Sequence, residues 1–266
     1  MAESILKIIK ISKSFGGVKA LTGINVEVKP GSIHSIIGPN GSGKTTLINV
    51  ITGFYKPDSG DLYYNGENIV GHSPHVIARK GIGRTFQNLR LFDSMTVEEN
   101  IKTALSKNLR ERLTTAIFAL PSVRAQEKMA SEQAFSAMEK FGIVNFAKRN
   151  VASLPYGTRR MVEIARALCL DPRILILEEP VAGMNSSESM KLMEDLRSIV
   201  STGHITIILI EHDMKIVMQF SDEVTVINYG SVIAQGLPIE IQNNYTVIEA
   251  YLGHRRTVKP NVEKAQ

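Results

Sequence analysis

The sequence predicts an α/β fold with a β-rich N-terminal layer, a mostly parallel core sheet and an inserted helical subdomain. Apolar runs at residues 33–37, 174–177 and 205–210 have the length and continuity of strands that are buried on both faces. Several short strand patterns precede the first long helical pattern. From residue 96 to residue 141 the apolar residues recur at helical spacing, which places a helical segment inside the α/β core.

The shorter elements follow from turn residues and local periodicity. Strands are expected at residues 5–11 (an edge strand), 24–28 and 61–64, a short helix at 74–80, and a hairpin of 224–228 and 231–235 joined by Tyr229-Gly230. Thr96, with Glu99 three residues on, predicts a capping box at a helix start. Two apolar helical stripes follow, the first of Leu113, Ala116, Ile117 and Leu120 and the second of Ala130, Ala134, Met138 and Phe141.

The composition excludes several classes of protein. Of 266 residues 43% are hydrophobic and 21% charged, which favours a globular chain over a disordered one. The net charge of +5 suits a nucleotide ligand or a membrane surface nearby, but no lysine–arginine block indicates nucleic-acid binding. The single Cys169 excludes an internal disulfide, and a small buried core residue is expected there. We expect no signal peptide, and no apolar run approaches the ~20 residues of a spanning helix.

A phosphate-binding loop follows the first buried run. Two glycines frame four residues and are followed by Lys-Thr, and a helical pattern comes next. In this context several backbone N–H groups and the helix N-terminus converge on phosphate oxygens. Lys44 can reach the β- and γ-phosphates, and the Thr45 hydroxyl is placed to ligate Mg²⁺. The loop comprises Gly38, Pro39, Asn40, Gly41, Ser42, Gly43, Lys44, Thr45 and Thr46.

Polar side chains also follow the other two buried runs. Glu178 and Glu179 end the second run, and the third run ends at Glu211-His212-Asp213. Because ligands of parallel sheets bind beyond the carboxyl ends of the strands, we expect these groups to meet the phosphate loop. One carboxylate can hold Mg²⁺ through water, and its neighbour can orient or deprotonate an attacking water. His212 is then a candidate sensor of the γ-phosphate.

With these motifs in this order, the chain resembles an ABC transporter ATPase subunit from Phe15 to Gly253. The resemblance depends on the phosphate loop, Gln87, the sequence Leu154-Pro155-Tyr156-Gly157, residues 174–180 and His212. Further stretches are similar to the LivG-type ATPases of high-affinity branched-chain amino-acid uptake. These stretches are residues 83–92, 182–185, 210–214 and 248–253.

The resemblance implies a role for each matching residue. Phe15 would stack on adenine, and Gln87 would touch both the metal site and the transmembrane partner. Glu179 would be the catalytic base and His212 the switch histidine, while Thr45, Gln87 and Glu178 would form the Mg²⁺ site. The signature segment would cap the γ-phosphate of ATP bound to the opposite subunit; it comprises Leu154, Pro155, Tyr156, Gly157 and Thr158.

The resemblance also implies an organisation and a set of partners. Residues 1–253 would be one ABC ATPase domain with a RecA-like core, residues 96–160 its inserted helical subdomain, and residues 254–266 a basic mobile tail. The ligands would be ATP and Mg²⁺. The chain would lie peripherally on the cytoplasmic face of the inner membrane, with permease subunits and a second ATPase, identical or related, as partners. A solute-binding protein would act with it only indirectly.

Two positions depart from the family pattern. Glu178 stands where the family has aspartate, so the Mg²⁺–water geometry must adjust and activity could fall. Thr158 stands where glutamine or aspartate is usual, and threonine reaches less far. Asn185 is usual in this branch.

Several functions remain open at this point. The first interpretation is an ATPase that powers import of branched-chain or other small polar amino acids. The alternatives are an ATP-dependent clamp that hydrolyses weakly because of Glu178, and the ATPase of a urea or amide importer or of a lipopolysaccharide exporter. A soluble ABC protein acting on nucleic acid is disfavoured, because such proteins generally carry two cassettes or a long coiled coil.

Overall fold

The computed structural model describes residues 4–105 and 121–252, which form two β-sheets. The first sheet is antiparallel and has the order β2-β1-β4-β5; its strands are β1 (Leu6–Phe15), β2 (Val18–Val28), β4 (Ser59–Tyr64) and β5 (Glu67–Asn68). The second sheet has the order β10-β9-β3-β8-β7-β6. Its strands are β3 (Ile33–Ile37), β6 (Ile82–Arg84), β7 (Ile174–Glu178), β8 (Thr206–Ile210), β9 (Glu223–Asn228) and β10 (Ser231–Gly236).

The helices of the described residues surround the second sheet. They are α1 (Lys44–Ile51), α2 (Pro74–Arg79), α3 (Val97–Leu105), α4 (Pro121–Glu139), α5 (Tyr156–Leu168), α6 (Ser186–Ser201), α7 (Met214–Phe220), α8 (Pro238–Gln242) and α9 (Tyr245–Leu252). Short 3-10 turns at Val144–Phe146 and Val151–Ser153 lead into α5. None of the helices in the described ranges has the length and apolar character needed to cross a membrane.

The predicted α/β fold is confirmed. β3, β7 and β8 are parallel neighbours and every residue in them is buried, as their continuous apolar runs predict. Alternate side chains of β7 face opposite layers. Leu175 and Leu177 pack with the apolar residues of α3 to α6, while Ile174 and Ile176 pack with α1 and the antiparallel sheet. The helix that carries the phosphate loop is therefore enclosed between the two sheets.

The prediction of an edge strand at residues 5–11 is wrong. β1 lies inside its sheet and pairs with both β2 and β4. The lysines that suggested an edge, Lys7 and Lys10, are exposed, and Lys7 pairs with Glu27 of the neighbouring strand at 2.8 Å. Period-2 alternation defines the faces of a strand and not its place in the sheet order.

The helices α3, α4 and α5 pack on one another beside the second sheet. The predicted capping box is present at the start of α3: Glu99 N donates to Thr96 Oγ1, and Thr96 N donates to Glu99 Oε2. The stripe of Ala130, Ala134, Met138 and Phe141 is buried, and its last three residues belong to the same core. The stripe of Leu113, Ala116, Ile117 and Leu120 and the tail at 254–266 lie outside the described residues.

Candidate active site

The carboxyl ends of adjacent strands form one edge of the second sheet. β3 leads into the phosphate loop, β8 leads into Glu211 and His212, and β7 leads into Glu179. β9, on the other side of β3, leads into Tyr229. A cleft of about 460 Å³ lies at this edge. Its position is the one expected for a ligand of a parallel sheet.

Eleven of the residues predicted from the sequence line this cleft: Asn40, Gly41, Ser42, Gly43, Lys44, Thr45, Thr46, Gln87, Glu178, Glu179 and His212. The lining also contains residues for which the sequence suggested no role, namely Val18, Lys19, Ala20, Ile210, Tyr229 and Gly230. The predicted residues outside the lining are Phe15, Gly38, Pro39, Leu154, Pro155, Tyr156, Gly157 and Thr158.

Close backbone packing fixes the shape of the phosphate loop. Gly43 has φ +109°, and a Cβ there would lie 2.6 Å from the carbonyl oxygen of Ala20. A Cβ on Gly38 would lie 2.0 Å from the carbonyl oxygen of Ile227. Gly230 N donates to Ser42 O at 2.8 Å, so the β9–β10 turn is bonded to the loop. Glycine is required at positions 38 and 43 because neighbouring backbone occupies the space of a side chain.

Lys44 is held inside the loop. Its side chain is buried, and Nζ donates to the carbonyl oxygens of Gly38 at 2.7 Å and Pro39 at 3.0 Å. Burial lowers the pKa of the Lys44 ammonium, while the charge of Glu179 opposes this shift. A desolvated cation held by two neutral carbonyls is well placed to bind an anionic phosphate.

Glu179 contacts both of the other predicted catalytic residues. Its Oε1 lies 2.9 Å from His212 Nε2, and Gln87 Nε2 donates to Oε2 at 3.3 Å. Glu179 has φ +47°, and its N–H donates to the carbonyl oxygen of Ile210 on the neighbouring strand. A left-handed non-glycine residue is an outlier that clusters at functional sites. The turn aims the carboxylate at the cleft.

Glu211 is a buried carboxylate to which the sequence pattern assigns no role of its own. One oxygen accepts from Val181 N at 3.3 Å, and the other accepts from its neighbour His212 N at 3.1 Å. Burial raises the pKa of Glu211, and these backbone bonds oppose the rise. Glu211 thus joins the turn after Glu179 to the turn that carries His212.

Glu178 forms an ion pair with Arg84. Arg84 Nε donates to Glu178 Oε1 at 2.6 Å, and Arg84 Nη1 donates to Asn49 Oδ1 at 2.8 Å and Thr52 Oγ1 at 3.1 Å. Asn49 belongs to α1, and Thr52 caps the C-terminal end of that helix. The carboxylate beside the phosphate loop is therefore connected to the helix that follows the loop.

The residues present fit a Mg²⁺ ion that is shared with a nucleotide. Thr45, Gln87 and Glu178 provide hydroxyl, amide and carboxylate oxygens, which are hard ligands, around one cleft. Ser42 Oγ is buried beside them and has no protein hydrogen-bond partner. In the described ranges no cluster of three His, Cys, Asp or Glu residues could hold a metal by itself. Such a set suits Mg²⁺, which usually takes only one or two carboxylates and completes its shell with phosphates and water.

Two exposed aromatic residues differ in their position relative to the cleft. Phe15 is 42% exposed and lies outside the lining, with its ring edge-on to Tyr55 at 5.1 Å. Tyr229 lines the cleft and is 88% exposed. The Tyr-Gly pair signals a turn in the sequence, but its place beside the phosphate loop depends on the strand order.

The signature segment lies away from the cleft of its own chain. Pro155 caps α5, Tyr156 is exposed, and Gly157 is buried against Met184. Pro155 and Tyr156, at the N-terminus of α5, are both exposed.

Comparison with known proteins defines the class. The profile of the ABC transporter family matches residues 21–182. The profile described as branched-chain amino acid ATP-binding cassette transporter matches residues 231–257. The chain belongs to the ABC transporter family and is one of its ATPases.

The curated relatives narrow the likeness to one branch. The chain is 44% identical over 253 residues to the high-affinity branched-chain amino acid transport ATP-binding protein BraF of Pseudomonas aeruginosa, covering 95% of this chain and 99% of that one. It is 42% identical to the corresponding LivG of Escherichia coli K12, with the same coverage.

Solved structures share the fold. A nucleotide-free ATP-binding cassette from an ABC transporter superposes with a TM-score of 0.81 at 34% identity, covering 94% of this chain and 100% of that chain. The ADP conformation of an ABC transporter cassette gives 0.82 at 34% identity, covering 95% and 100%. CbiO1 of Clostridium perfringens, described as part of an ABC transporter complex, gives 0.78 at 30% identity, covering 96% of each chain.

Proposed function

We propose that this chain is the ATP-hydrolysing subunit that powers import of branched-chain amino acids by a membrane ABC transporter. The observation that carries the proposal is the convergence of Lys44, Glu179 and His212 in one cleft at the strand ends. The names of the BraF and LivG relatives support the class of solute.

The residues of the cleft would divide the work. The phosphate loop and Lys44 would bind the phosphates, with Lys44 exchanging its two carbonyl partners for phosphate oxygens. Glu179 would orient and deprotonate the attacking water, and His212 would hold the Glu179 carboxylate in place across 2.9 Å. Bound Mg²⁺, held by Thr45, Gln87 and Glu178, would neutralise phosphate charge. Phe15 would stack on adenine after leaving its contact with Tyr55.

A dimer would complete the site. The residues from Leu154 to Thr158 do not line their own chain's cleft, so they would cap ATP bound to a second ATPase subunit, identical or related. The N-terminus of α5 would supply its N–H groups to the γ-phosphate there.

The proposal extends to the wider assembly. Residues 1–253 would act as one ATPase domain, with residues 96–160 as the helical subdomain that contacts permease subunits. The protein would lie peripherally on the cytoplasmic face of the membrane, and a solute-binding protein would act indirectly. Nucleic acid is not among the proposed partners.

An uptake assay tests the solute. Cells of the chain's own host that lack it would be complemented with the parent or with Glu179→Gln, and uptake of radiolabelled leucine and urea would be compared. We expect loss of leucine uptake that only the parent restores, with urea uptake unchanged. Loss of urea uptake with normal leucine uptake would overturn the assignment in favour of a urea or amide importer.

A further inference from the structure

Arg160, on the second turn of α5, is a fully buried arginine. Its guanidinium contacts four groups. Nη1 donates to Phe86 O at 2.8 Å and to Glu163 Oε2 at 2.6 Å, and Nη2 donates to Gln87 O at 2.9 Å and to the Tyr156 hydroxyl at 3.3 Å. Two of these acceptors are consecutive main-chain carbonyls of the loop after β6.

The side chain of Gln87 points away from this contact. While its carbonyl oxygen accepts from Arg160, its amide Nε2 donates to Glu179 in the cleft. Tyr156, whose hydroxyl accepts from the same Nη2 as Gln87 O, is the first residue of α5 and part of the signature segment. Arg160 therefore contacts a residue of the cleft and a residue of the signature segment at once.

Two other α5 side chains bind the same loop further along. Glu163 accepts from Arg90 N at 3.2 Å, and Arg166 donates to Arg90 O. Glu163 is 3% exposed, and its carboxylate pairs with Arg160, which offsets the free-energy cost of burying the arginine's charge. The loop is thus bonded through its main chain at residues 86, 87 and 90, and these bonds do not depend on its own side chains.

We propose that Arg160 is a positioning residue that joins the main chain of residues 86 and 87 to the first turn of α5, so that Gln87 and the signature segment move as one body. The proposal deepens the roles proposed above for Gln87 and for residues 154–158, and rests on them. Only arginine supplies several donors in a fixed planar fork, so lysine retains the charge but cannot bind both carbonyls and Glu163 in the same geometry.

The test combines kinetics with a distance measurement. Spin labels are placed on Asn88→Cys and Ala152→Cys, both at exposed positions, in a Cys169→Ala background that removes the natural thiol. Arg160→Lys is the variant. Arg159→Lys is the matched control, because this adjacent arginine pairs with exposed Asp93.

In the parent and in Arg159→Lys we expect one narrow label–label distance, and adding ATP in the Glu179→Gln background leaves it unchanged. In Arg160→Lys the distribution broadens, and kcat falls roughly tenfold to a hundredfold because a small misplacement of the site is costly. KM for ATP stays within about twofold, because the phosphate loop is untouched.

A narrow distance and a normal kcat in Arg160→Lys would overturn the proposal. A shift of several ångströms in the label–label distance when ATP is added to the Glu179→Gln protein would also overturn it. This second measurement does not use Arg160→Lys, so it tests the proposal even if that variant fails to fold. The label–label distance can be measured without ATP hydrolysis. A protein that hydrolyses no ATP but keeps one narrow distance would therefore count against the proposed function and in favour of this inference.

Discussion

Arg84 Nε lies 2.6 Å from Glu178 Oε1, and the two side chains are only 9% and 10% exposed. One oxygen of Glu178, whose side chain is one methylene longer than that of aspartate, is committed to this pair. The Arg84 guanidinium is further fixed by α1 and lies 5.0 Å from the centre of the Phe86 ring. The pair thereby gives the longer side chain one defined position beside the phosphate loop.

Removing one partner of this pair should destabilise the protein strongly. Arg84→Met leaves Glu178 buried without a counter-ion, and the free energy of unfolding should fall by about 3–5 kcal/mol. Glu178→Asp keeps both charges and should cost about 1 kcal/mol, the scale of one weakened hydrogen bond. Urea unfolding followed by circular dichroism measures both. Arg79→Met, on the exposed side of α2, is the control and should change little. Equal losses in Arg84→Met and Arg79→Met would contradict this account of the pair.

Glycine at position 43 should be required for a steric reason. Gly43→Ala and Gly203→Ala both place alanine at positive φ, which costs about 1–2 kcal/mol. Only Gly43→Ala adds a Cβ 2.6 Å from the carbonyl of Ala20, whereas Gly203 has open space. Gly43→Ala should therefore lose clearly more unfolding free energy and also weaken ATP binding, as measured by calorimetry. If the two variants were equally stable, the close packing at Gly43 would not be limiting.

His34 should make stability depend on pH. It is fully buried in β3, its Nε2 lies 2.8 Å from Thr225 Oγ1, and its Nδ1 has no hydrogen-bond partner. Burial lowers the pKa of His34 from 6.5 to about 4, with Glu223 opposing the shift and Lys29 adding to it. As pH falls below 6.5, His34 becomes protonated in the unfolded chain, whereas in the folded chain it stays neutral until about pH 4.

The contribution of His34 is therefore complete above pH 6.5 and decreases between 6.5 and 4, by about 3 kcal/mol in all. Urea unfolding across this range measures it. His34→Gln should flatten the slope, and His75→Gln, at an exposed position, should retain it. An unchanged slope in His34→Gln would show that other groups cause the acid sensitivity.

The parts of the site that could be predicted from sequence are those encoded locally. The phosphate loop lies within nine consecutive residues, and Glu179 and His212 lie within two residues of the ends of strands whose apolar runs are unmistakable. Once three parallel strands are assumed, their carboxyl ends must share an edge, and the cleft follows.

The remaining features depend on which strands are neighbours, and periodicity does not encode that order. The sequence shows Tyr229-Gly230 as a turn, but only the pairing of β9 with β3 brings it to the phosphate loop. For the same reason, the sequence does not predict the interior position of β1. Arg84 and Glu178 are 94 positions apart, so only the register of β6 on β7 brings them together.

Steady-state Mg²⁺-ATP hydrolysis by the purified chain, beside Glu179→Gln and Glu178→Asp, tests the central claim most directly. We expect turnover by the parent, a loss of about 10²–10⁴-fold in Glu179→Gln with ATP still bound, and little change in Glu178→Asp. Undiminished turnover in Glu179→Gln would contradict the assignment of this cleft as the catalytic site. If the parent did not hydrolyse ATP and Glu178→Asp did, the result would contradict the proposed transport ATPase and favour an ATP-dependent clamp.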